Sequence, residues 1–382
     1  AYGPLILGHR PKAVIEAVTR QITERGSQLG FPTEITTRVA EKIKVLFPSM
    51  ELMRFANSGT EAVASAIRLA RTVTGKNKII IFEGNYHGWS EAVFHRYHAP
   101  IEQLPACGFG PAIPGTAGMG DDALNAIVVR WNDLETFYRA MEMYGDEVAA
   151  VITEPIMGNA GLLPPRDQFL PGLREATVDY DCMLIFDEVI TGFRAGPGGA
   201  QDLYAVYPDI TVVSKAVGGG YPISAFGASK DLMQSIVNGR MFHGGVFSGN
   251  AVVMAAADAV LDRLIHDKDA VYSQLNAVTG RLCSGLEEIM ARLGVPAHTQ
   301  HVGAAASLFL TKTPVERLYD YREVRENCEF EKFIELQHAA QRRGVYFHPN
   351  QFEPMFPSVA HSIADIDEAL DRIEDAARCT LK

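Results

Sequence analysis

Short apolar runs alternate with amphipathic segments over the first two thirds of the chain. KIIIFEG, AAVITEP, CMLIFDEV and ITVVSK each contain a continuous apolar run of strand length, which is typical of strands buried on both faces of a parallel sheet. Helical patterns lie between these runs. EAVASAIRLARTVTG places Val63, Ile67, Ala70 and Thr74 at helical spacing and stops at Gly75. The alternation predicts an α/β fold with right-handed crossovers.

The pattern changes after about residue 255, where amphipathic helices dominate and short strands such as AASLFL and GVYFH lie between them. A chain of 382 residues is long enough for two domains. We predict a large, mainly parallel α/β domain over residues 31–255 and a smaller α+β domain over 256–382. Residues 1–30 contain the helical pattern AVIEAVTRQITERG and are expected to pack with the small domain or at an interface.

Composition and charge exclude several classes of protein. The formal net charge is -11, and no basic cluster is present that could neutralise a row of phosphates. No apolar run reaches the roughly 18 residues of a membrane-spanning helix. We therefore expect neither a nucleic-acid partner nor a membrane span.

The five cysteines are far apart and form no Cys-x-x-Cys pair. This spacing argues against a disulfide framework and against a zinc knuckle, and it favours a reducing, cytoplasmic compartment. The sequence begins at Ala1 without a signal-peptide pattern, and we expect that its natural start has been removed or lies outside this sequence.

Polar and reactive residues follow the predicted strands at their carboxyl ends. In an open parallel sheet the ligand crevice lies just beyond those ends, so these residues are expected to share one region. The candidates are Ser58, Gly59, Thr60, Tyr86, His87, Glu154, Asp187 and Lys215.

NSGTEA places Ser58, Gly59 and Thr60 immediately before a predicted helix. Free N–H groups, hydroxyls and the positive end of a helix dipole form a site for an anion such as phosphate. Serine and threonine are also common N-caps, so this stretch alone fits a plain cap at least as well.

Asp187 in LIFDEV also resembles the acidic strand end of a P-loop ATPase. The Gly-x-x-x-x-Gly-Lys-Ser/Thr stretch that this interpretation requires is absent, as is the Gly-x-Gly-x-x-Gly of a dinucleotide site. For Asp187 alone, a structural cap or salt bridge explains the residue as well as catalysis does.

His95 and His98 in FHRYHAP are three residues apart and have no third ligand nearby. Such a pair is more often found in packing or at the surface than on a metal, so we predict no metal site. Tyr86 alone is more typical of a half-buried core aromatic than of a stacking platform.

Together these residues match the needs of one cofactor, pyridoxal 5'-phosphate. A lysine at a strand end forms a Schiff base with the cofactor, an upstream carboxylate keeps the pyridine nitrogen protonated, a helix N-terminus binds phosphate and an aromatic ring stacks. Lys215, Asp187, Gly59, Thr60 and Tyr86 would take these roles.

NSGTEA, YHG, TEP, LIFDEVITGFR, VSKAVGGGYP and SGN, in this order, resemble the class III pyridoxal-phosphate-dependent aminotransferases. The likeness covers nearly the whole chain, and the stretch from Ala150 to Met233 most resembles the glutamate-1-semialdehyde aminomutase branch and the amino-acid aminotransferases near it. The resemblance implies the pyridoxal-phosphate transferase fold type I, a large α/β/α sheet domain with a smaller α+β domain, and places the cofactor in residues 31–255.

The resemblance also implies roles for individual residues. Lys215 would carry the cofactor, Asp187 would pair with the pyridine nitrogen, and Tyr86 and Val189 would cover the two ring faces. Gly59 and Thr60, with Ser58 beside them, would bind the phosphate, and His87 and Glu154 would make contacts around the cofactor. The family forms homodimers, and the loop GGVFSGN, which contains Val246, would reach the partner subunit's cofactor.

Three features depart from the family pattern. Val246 stands where the family usually has a threonine that reaches the neighbour's phosphate, and valine offers only its backbone N–H. YHGWSEAVFH places Trp89 where the aminomutase branch usually continues with histidine, which predicts a different pocket. The family's leading Asp-Gly-x-x-Tyr-x-Asp motif is not found in this sequence.

The expected reaction is transamination between an amino acid or amine and an oxo acid, both small molecules. The alternative is a 1,2-aminomutase of the glutamate-1-semialdehyde type, which passes through a diamine and which Glu353 in QFEPMF keeps open. A binding protein that has kept the fold without the chemistry is a third interpretation, favoured by Val246 alone. Arg194 in TGFR fits a carboxylate clamp and a structural role equally.

Overall fold

The structure, a computed structural model, describes residues 2–381. Eight strands of this part of the chain form one sheet and two form a hairpin. The strands are β1 (Leu52–Ala56), β2 (Lys78–Phe82), β3 (Phe109–Pro111), β4 (Ala126–Val129), β5 (Val148–Thr153), β6 (Met183–Glu188), β7 (Ile210–Val213), β8 (Ser224–Ala228), β9 (Ala297–Val302) and β10 (Ala305–Leu310).

Helices surround the sheet and make up most of the last third of the chain. They are α1 (Lys12–Arg20), α2 (Glu34–Leu46), α3 (Gly59–Thr74), α4 (Leu134–Tyr144), α5 (Phe169–Asp179), α6 (Gly199–Tyr204), α7 (Lys230–Val237), α8 (Ala251–His266), α9 (Lys268–Leu293), α10 (Tyr321–Asn327), α11 (Phe330–Arg342) and α12 (Ile363–Thr380).

The large sheet is mainly parallel, in the order β1-β8-β7-β6-β5-β2-β4-β3. The four strands expected from continuous apolar runs are β2, β5, β6 and β7, and they are neighbours in parallel register. β8 runs antiparallel to both β7 and β1, and β3 runs antiparallel to β4. Because β1 points the same way as β7, the carboxyl ends of β1, β2, β5, β6 and β7 lie at one edge.

Both faces of the sheet are buried, which explains why its strands are apolar without alternation. In β2, Ile80 and Phe82 pack in a core with α4 and α5, whereas Ile79 and Ile81 pack in a second core with α3 and α7. The prediction of an α/β fold with a mainly parallel sheet is confirmed. Helix α3 ends as its sequence indicates, since Gly75 caps it in the left-handed conformation at φ 72°.

The ends of the chain contribute two further cores. Helices α1 and α2 pack against α8 through residues such as Val14, Val39 and Val260. α9, α11 and α12 pack with one face of β10. The proposed boundary at residue 255 falls inside α8, and the division into residues 1–30, 31–255 and 256–382 stays a prediction.

The expected strand at GVYFH does not form. Val345 donates its N–H to the C-terminal turn of α11, and the Phe347 carbonyl accepts from the Gln337 side chain, so this segment has no ladder partner. The free edge of β10 instead contacts Met355 through an isolated bridge. Among residues 2–381 no helix combines the length and the apolar character that crossing a membrane requires.

Candidate active site

The first turn of α3 is built by a capping box. The Ser58 hydroxyl accepts from the Glu61 N–H at 3.3 Å, and the Glu61 carboxylate accepts from the Ser58 N–H at 2.9 Å. Gly59 and Thr60 follow this cap and line a cavity at the sheet edge. The two interpretations of NSGTEA are therefore compatible: Ser58 is an N-cap, and the next two residues present the positive end of the helix to the cavity.

Glycines allow the surrounding segments to approach this turn closely. A Cβ on Gly59 would lie 3.3 Å from the Val189 side chain. Gly88, at φ +90°, lies so close to α3 that a Cβ there would be 2.5 Å from the Thr60 hydroxyl oxygen. The YHG turn thus fixes the position of Thr60, and only glycine fits at residue 88.

Lys215 follows β7 and begins a short 3₁₀ turn, Lys215–Gly218. It adopts the left-handed conformation at φ 48°, which is uncommon for a residue with a side chain. The hydroxyl of Ser214 donates to the Ile223 carbonyl at 2.7 Å and anchors the turn. Burial lowers the pKa of Lys215, opposed by the carboxylates of Glu154 and Asp187.

Asp187 and His87 form a buried pair beside Lys215. His87 Nδ1 lies 2.8 Å from Asp187 Oδ2, and the Val189 N–H donates to Asp187 Oδ1 at 3.1 Å. The other ring nitrogen of His87 is buried without a hydrogen-bond partner among the described residues. A carboxylate held on both oxygens at a strand end has a fixed orientation toward the cavity.

Glu154 is almost completely buried and joins two turns of the cavity wall. Its carboxylate accepts from the N–H groups of Tyr86 at 2.8 Å, Gly158 at 2.7 Å and Asn159 at 3.2 Å, and from the Asn159 side-chain amide at 2.9 Å. Burial raises the pKa of Glu154 to about 7, and the N–H donors oppose that shift. Glu154 holds the backbone of Tyr86 and the turn at Asn159 in place.

These groups surround one cavity of about 180 Å³. Of the residues predicted from the sequence, the cavity wall contains Gly59, Thr60, Tyr86, His87, Glu154, Asp187, Val189 and Lys215. Ser58 caps the helix beside it. Val246 does not line this cavity, since its side chain is exposed on the loop before α8, where the expected contact would be with a partner subunit.

Five residues of the cavity wall were not predicted as site residues from the sequence, namely Val63, Gly88, Asn159, Ile190 and Ser214. Asn159 lies in the turn after TEP and Ile190 follows Val189, and both line the cavity. The only signal for Asn159 is its position in a glycine-containing turn directly after a buried strand. Trp89, which the sequence suggested as a pocket residue, is 70% exposed and lies outside this cavity.

The remaining candidates have structural contacts. The Nδ1 atom of His95 contacts the Val93 carbonyl at 2.9 Å, and burial lowers the pKa of His95 to about 4. His98 stacks on Phe352. No group of three metal-ligating side chains occurs within residues 2–381.

Arg194 is fully buried and acts on the backbone. It donates to the carbonyls of Gly3 at 2.7 Å, Ala304 at 2.7 Å and Pro357 at 3.1 Å, and its guanidinium lies over the Phe356 ring. Of the two interpretations of TGFR, the structure favours the structural role, because these donors are occupied by carbonyl oxygens from three separate segments.

The donor set of the cavity fits pyridoxal phosphate. An amine with a lowered pKa, an oriented carboxylate, an aromatic ring and a helix N-terminus are the four chemical elements that this cofactor requires. They meet in a single cavity, and the buried, unpartnered nitrogen of His87 leaves hydrogen-bonding capacity at the same site.

Solved structures of cofactor-dependent enzymes share this fold over the whole chain. An omega-transaminase from Sphaerobacter thermophilus matches with a TM-score of 0.90 and 32% identity, covering 100% of this chain and 86% of that one. A glutamate-1-semialdehyde-aminomutase from Pseudomonas aeruginosa PAO1 in complex with PMP matches with a TM-score of 0.85 and 26% identity, covering 99% and 82%. Fold and site thus define a pyridoxal-phosphate-dependent enzyme of fold type I.

The sequence comparisons identify the family. The profile of the Aminotransferase class-III family matches residues 1–377. A glutamate-1-semialdehyde 2,1-aminomutase of Desulfitobacterium hafniense is 42% identical over 99% of this chain and 85% of its own length. A glutamate-1-semialdehyde 2,1-aminomutase 2 of Brevibacillus brevis is 40% identical over 100% and 86%. The chain belongs to the class III aminotransferases, and its similarity to the aminomutases confirms the branch expected from the motifs.

Proposed function

We propose that this enzyme is a 1,2-aminomutase that moves an amino group between adjacent carbons of one small molecule, of the glutamate-1-semialdehyde type. The observation that carries the proposal is 42% identity to a glutamate-1-semialdehyde 2,1-aminomutase over 99% of the chain. General transamination was the main expectation from the sequence, and these relatives favour the alternative over it.

The cavity residues have distinct roles in this proposal. Bound pyridoxal phosphate supplies an electron-accepting ring and a carbonyl carbon that exchanges amino groups. The Lys215 amine binds the cofactor and moves protons at the substrate carbon, and the lowered pKa of this amine makes its neutral, basic form accessible. Asp187, oriented by His87, holds the proton on the ring nitrogen.

The other cavity residues orient the cofactor and shield it from water. The N-terminus of α3, with Gly59 and Thr60, binds the phosphate. Tyr86 and Val189, which both line the cavity, would cover the cofactor ring, and the Glu154 carboxylate holds the Tyr86 backbone by accepting from its N–H.

Transamination with a separate acceptor is the second candidate. It is favoured by the similarity to an omega-transaminase, with a TM-score of 0.90 and 32% identity over the whole chain. Trp89 also departs from the continuation that the aminomutase branch usually has. A transaminase needs a second substrate, whereas an aminomutase completes its reaction on one.

The two functions are separated by one assay. Purified holoenzyme is given glutamate 1-semialdehyde, without and with 2-oxoglutarate, and the product is measured by chromatography. We expect turnover without the oxo acid and none for Lys215→Ala. Turnover that depends on 2-oxoglutarate would reject the aminomutase and support the transaminase.

We further propose a homodimer with shared active sites and a reducing, cytoplasmic location. Large apolar side chains are exposed on the segment before α2 and on the segment between α7 and α8, including Phe31 at 79%, Phe242 at 81% and Phe247 at 60%. All five cysteines are free thiols. Sedimentation of the holoenzyme tests the dimer, and a monomer at assay concentrations would reject it.

A further inference from the structure

The segment between α7 and α8 forms an arm, residues 240–249, that is anchored near both ends and exposed at its tip. Near the start of the arm, Met241 is buried in the core that contains residues of α3 and α7. At its end, the Gly249 carbonyl accepts from the Thr36 hydroxyl at 3.4 Å. Residues 244–247, the tip, are exposed. The position of the tip therefore depends on how firmly the arm is held at its base.

His243, directly before the tip, is held by the edge of the large sheet. Arg54 in β1 donates from Nε to His243 Nδ1 at 3.3 Å and from a terminal nitrogen to the His243 carbonyl at 3.2 Å. The His243 ring also packs edge-on against Phe226, with 5.1 Å between the ring centroids. Arg54 and Phe226 lie opposite each other in the β1–β8 ladder. One cross-strand pair thus holds both the ring and the backbone of His243.

This contact requires a neutral histidine. Arginine stays protonated in proteins and only donates, so His243 Nδ1 must carry a lone pair to accept from Arg54. A charged imidazole is protonated on both nitrogens, which would remove this hydrogen bond and place two cations side by side. The charged neighbours of the ring are Arg54 on β1 and Arg68 and Glu61 on α3. Burial and the two guanidinium groups lower the pKa of His243, and Glu61 opposes them.

We propose that Arg54 is a positioning residue for the cofactor site: through neutral His243 it holds the arm where its tip reaches the partner subunit's cofactor, and protonation of His243 ends this hold. The inference rests on the proposed homodimer with shared active sites, because Val246 at the tip does not line the cavity of its own subunit. The anchored arm favours the unprotonated ring. Anchoring is therefore complete above the ordinary histidine pKa of about 6.5 and weakens as the pH falls below it.

Hydrogen exchange of the holoenzyme, followed by mass spectrometry, tests the anchor directly. Peptides that cover the arm are compared between wild type and variants at equal pH, so that the intrinsic exchange rate cancels. His243→Asn keeps an oxygen acceptor near the position of Nδ1 at every pH, whereas Arg54→Met removes the donor. At about pH 8 we expect equal exchange in wild type and His243→Asn. At about pH 5.5, roughly one unit below the ordinary histidine pKa, wild type should exchange up to about tenfold faster. Arg54→Met should exchange fast at both.

Cofactor affinity connects the anchor to the active site. The Kd of pyridoxal phosphate for each apoenzyme is measured at both pH values, and wild type is expressed as a ratio to His243→Asn. This ratio should be close to one at the higher pH and should rise at the lower pH. Arg54→Met should bind the cofactor more weakly than wild type at both.

His266→Gln is the matched control, at an exposed histidine in the last turn of α8, and it should behave like wild type in both measurements. Equal arm exchange in wild type and His243→Asn at the lower pH, or unchanged cofactor affinity in Arg54→Met, would overturn the inference. Failure of the proposed homodimer is separate: it shows as a monomer in sedimentation, whereas arm exchange alone decides whether Arg54 holds the arm through His243.

Discussion

Replacing Gly88 by alanine tests how the YHG turn fixes the phosphate end of the site. Gly88 has φ +90°, and a Cβ there would lie 2.5 Å from Thr60 Oγ1 and 2.8 Å from Thr60 Cα. Alanine in this backbone region costs about 1–3 kcal/mol, and the overlap adds about 1–3 kcal/mol because a backbone atom must move. Thr60 would then leave the first turn of α3.

Gly118→Ala is the matched control. Gly118 has a similar φ of +84°, but nothing lies within 4 Å of an added Cβ. Both variants should lose about 1–3 kcal/mol in the free energy of unfolding of the apoenzyme through the backbone cost, and Gly88→Ala should lose more.

Cofactor affinity distinguishes the two variants. Loss of one hydrogen bond to a charged phosphate costs about 1.5–3 kcal/mol, or roughly 10- to 100-fold in Kd. Fluorescence titration of each apoenzyme with pyridoxal phosphate should show this loss for Gly88→Ala alone. Equal affinities for Gly88→Ala, Gly118→Ala and wild type would refute the argument that residue 88 positions Thr60.

Three further predictions concern other parts of the site. Val246→Thr should tighten cofactor binding by about 1 kcal/mol through an added hydroxyl donor, and equal or weaker binding in the same titration would count against it. Burial lowers the pKa of Lys215 from 10.5, and only the neutral amine attacks an aldehyde. The rate at which apoenzyme recombines with pyridoxal phosphate should therefore rise with pH and reach a plateau below pH 10.5. Stopped-flow absorbance that shows no such plateau would contradict this. Arg194→Met should lower the free energy of unfolding by about 3 kcal/mol or more, since three buried carbonyls lose their donor; urea unfolding within 1 kcal/mol of wild type would show that they find other partners.

The central strands and the site at their ends could be predicted because both depend on local sequence. A strand buried on both faces is apolar throughout, and the residues after parallel strands must meet at one edge. This reasoning placed Lys215, Asp187 and Glu154 together correctly.

The antiparallel strand β8, and the absence of a strand at GVYFH, could not be predicted in the same way. β8 contains serine and glycine and is held by ladders on both sides, whereas Val345 and Phe347 are apolar but find no strand to pair with. Pairing of this kind depends on tertiary contacts rather than on propensity.

The contacts of His98 could also not be predicted from the sequence. Its loop has no period, and the contact between His98 and Phe352 joins positions that are far apart in the chain. Arg194 is similar, because its three carbonyl acceptors belong to three separate segments. Long-range packing of this kind leaves no pattern at the residues themselves.

The most direct test of the cofactor site is to map where pyridoxal phosphate is attached. Holoenzyme is reduced with borohydride, digested and analysed by mass spectrometry, with Lys215→Ala treated in parallel. The cofactor mass is expected on the peptide that contains Lys215 and on no peptide of the variant. Attachment to another lysine, or an unmodified Lys215 in fully loaded enzyme, would contradict the assignment of this cavity as the active site.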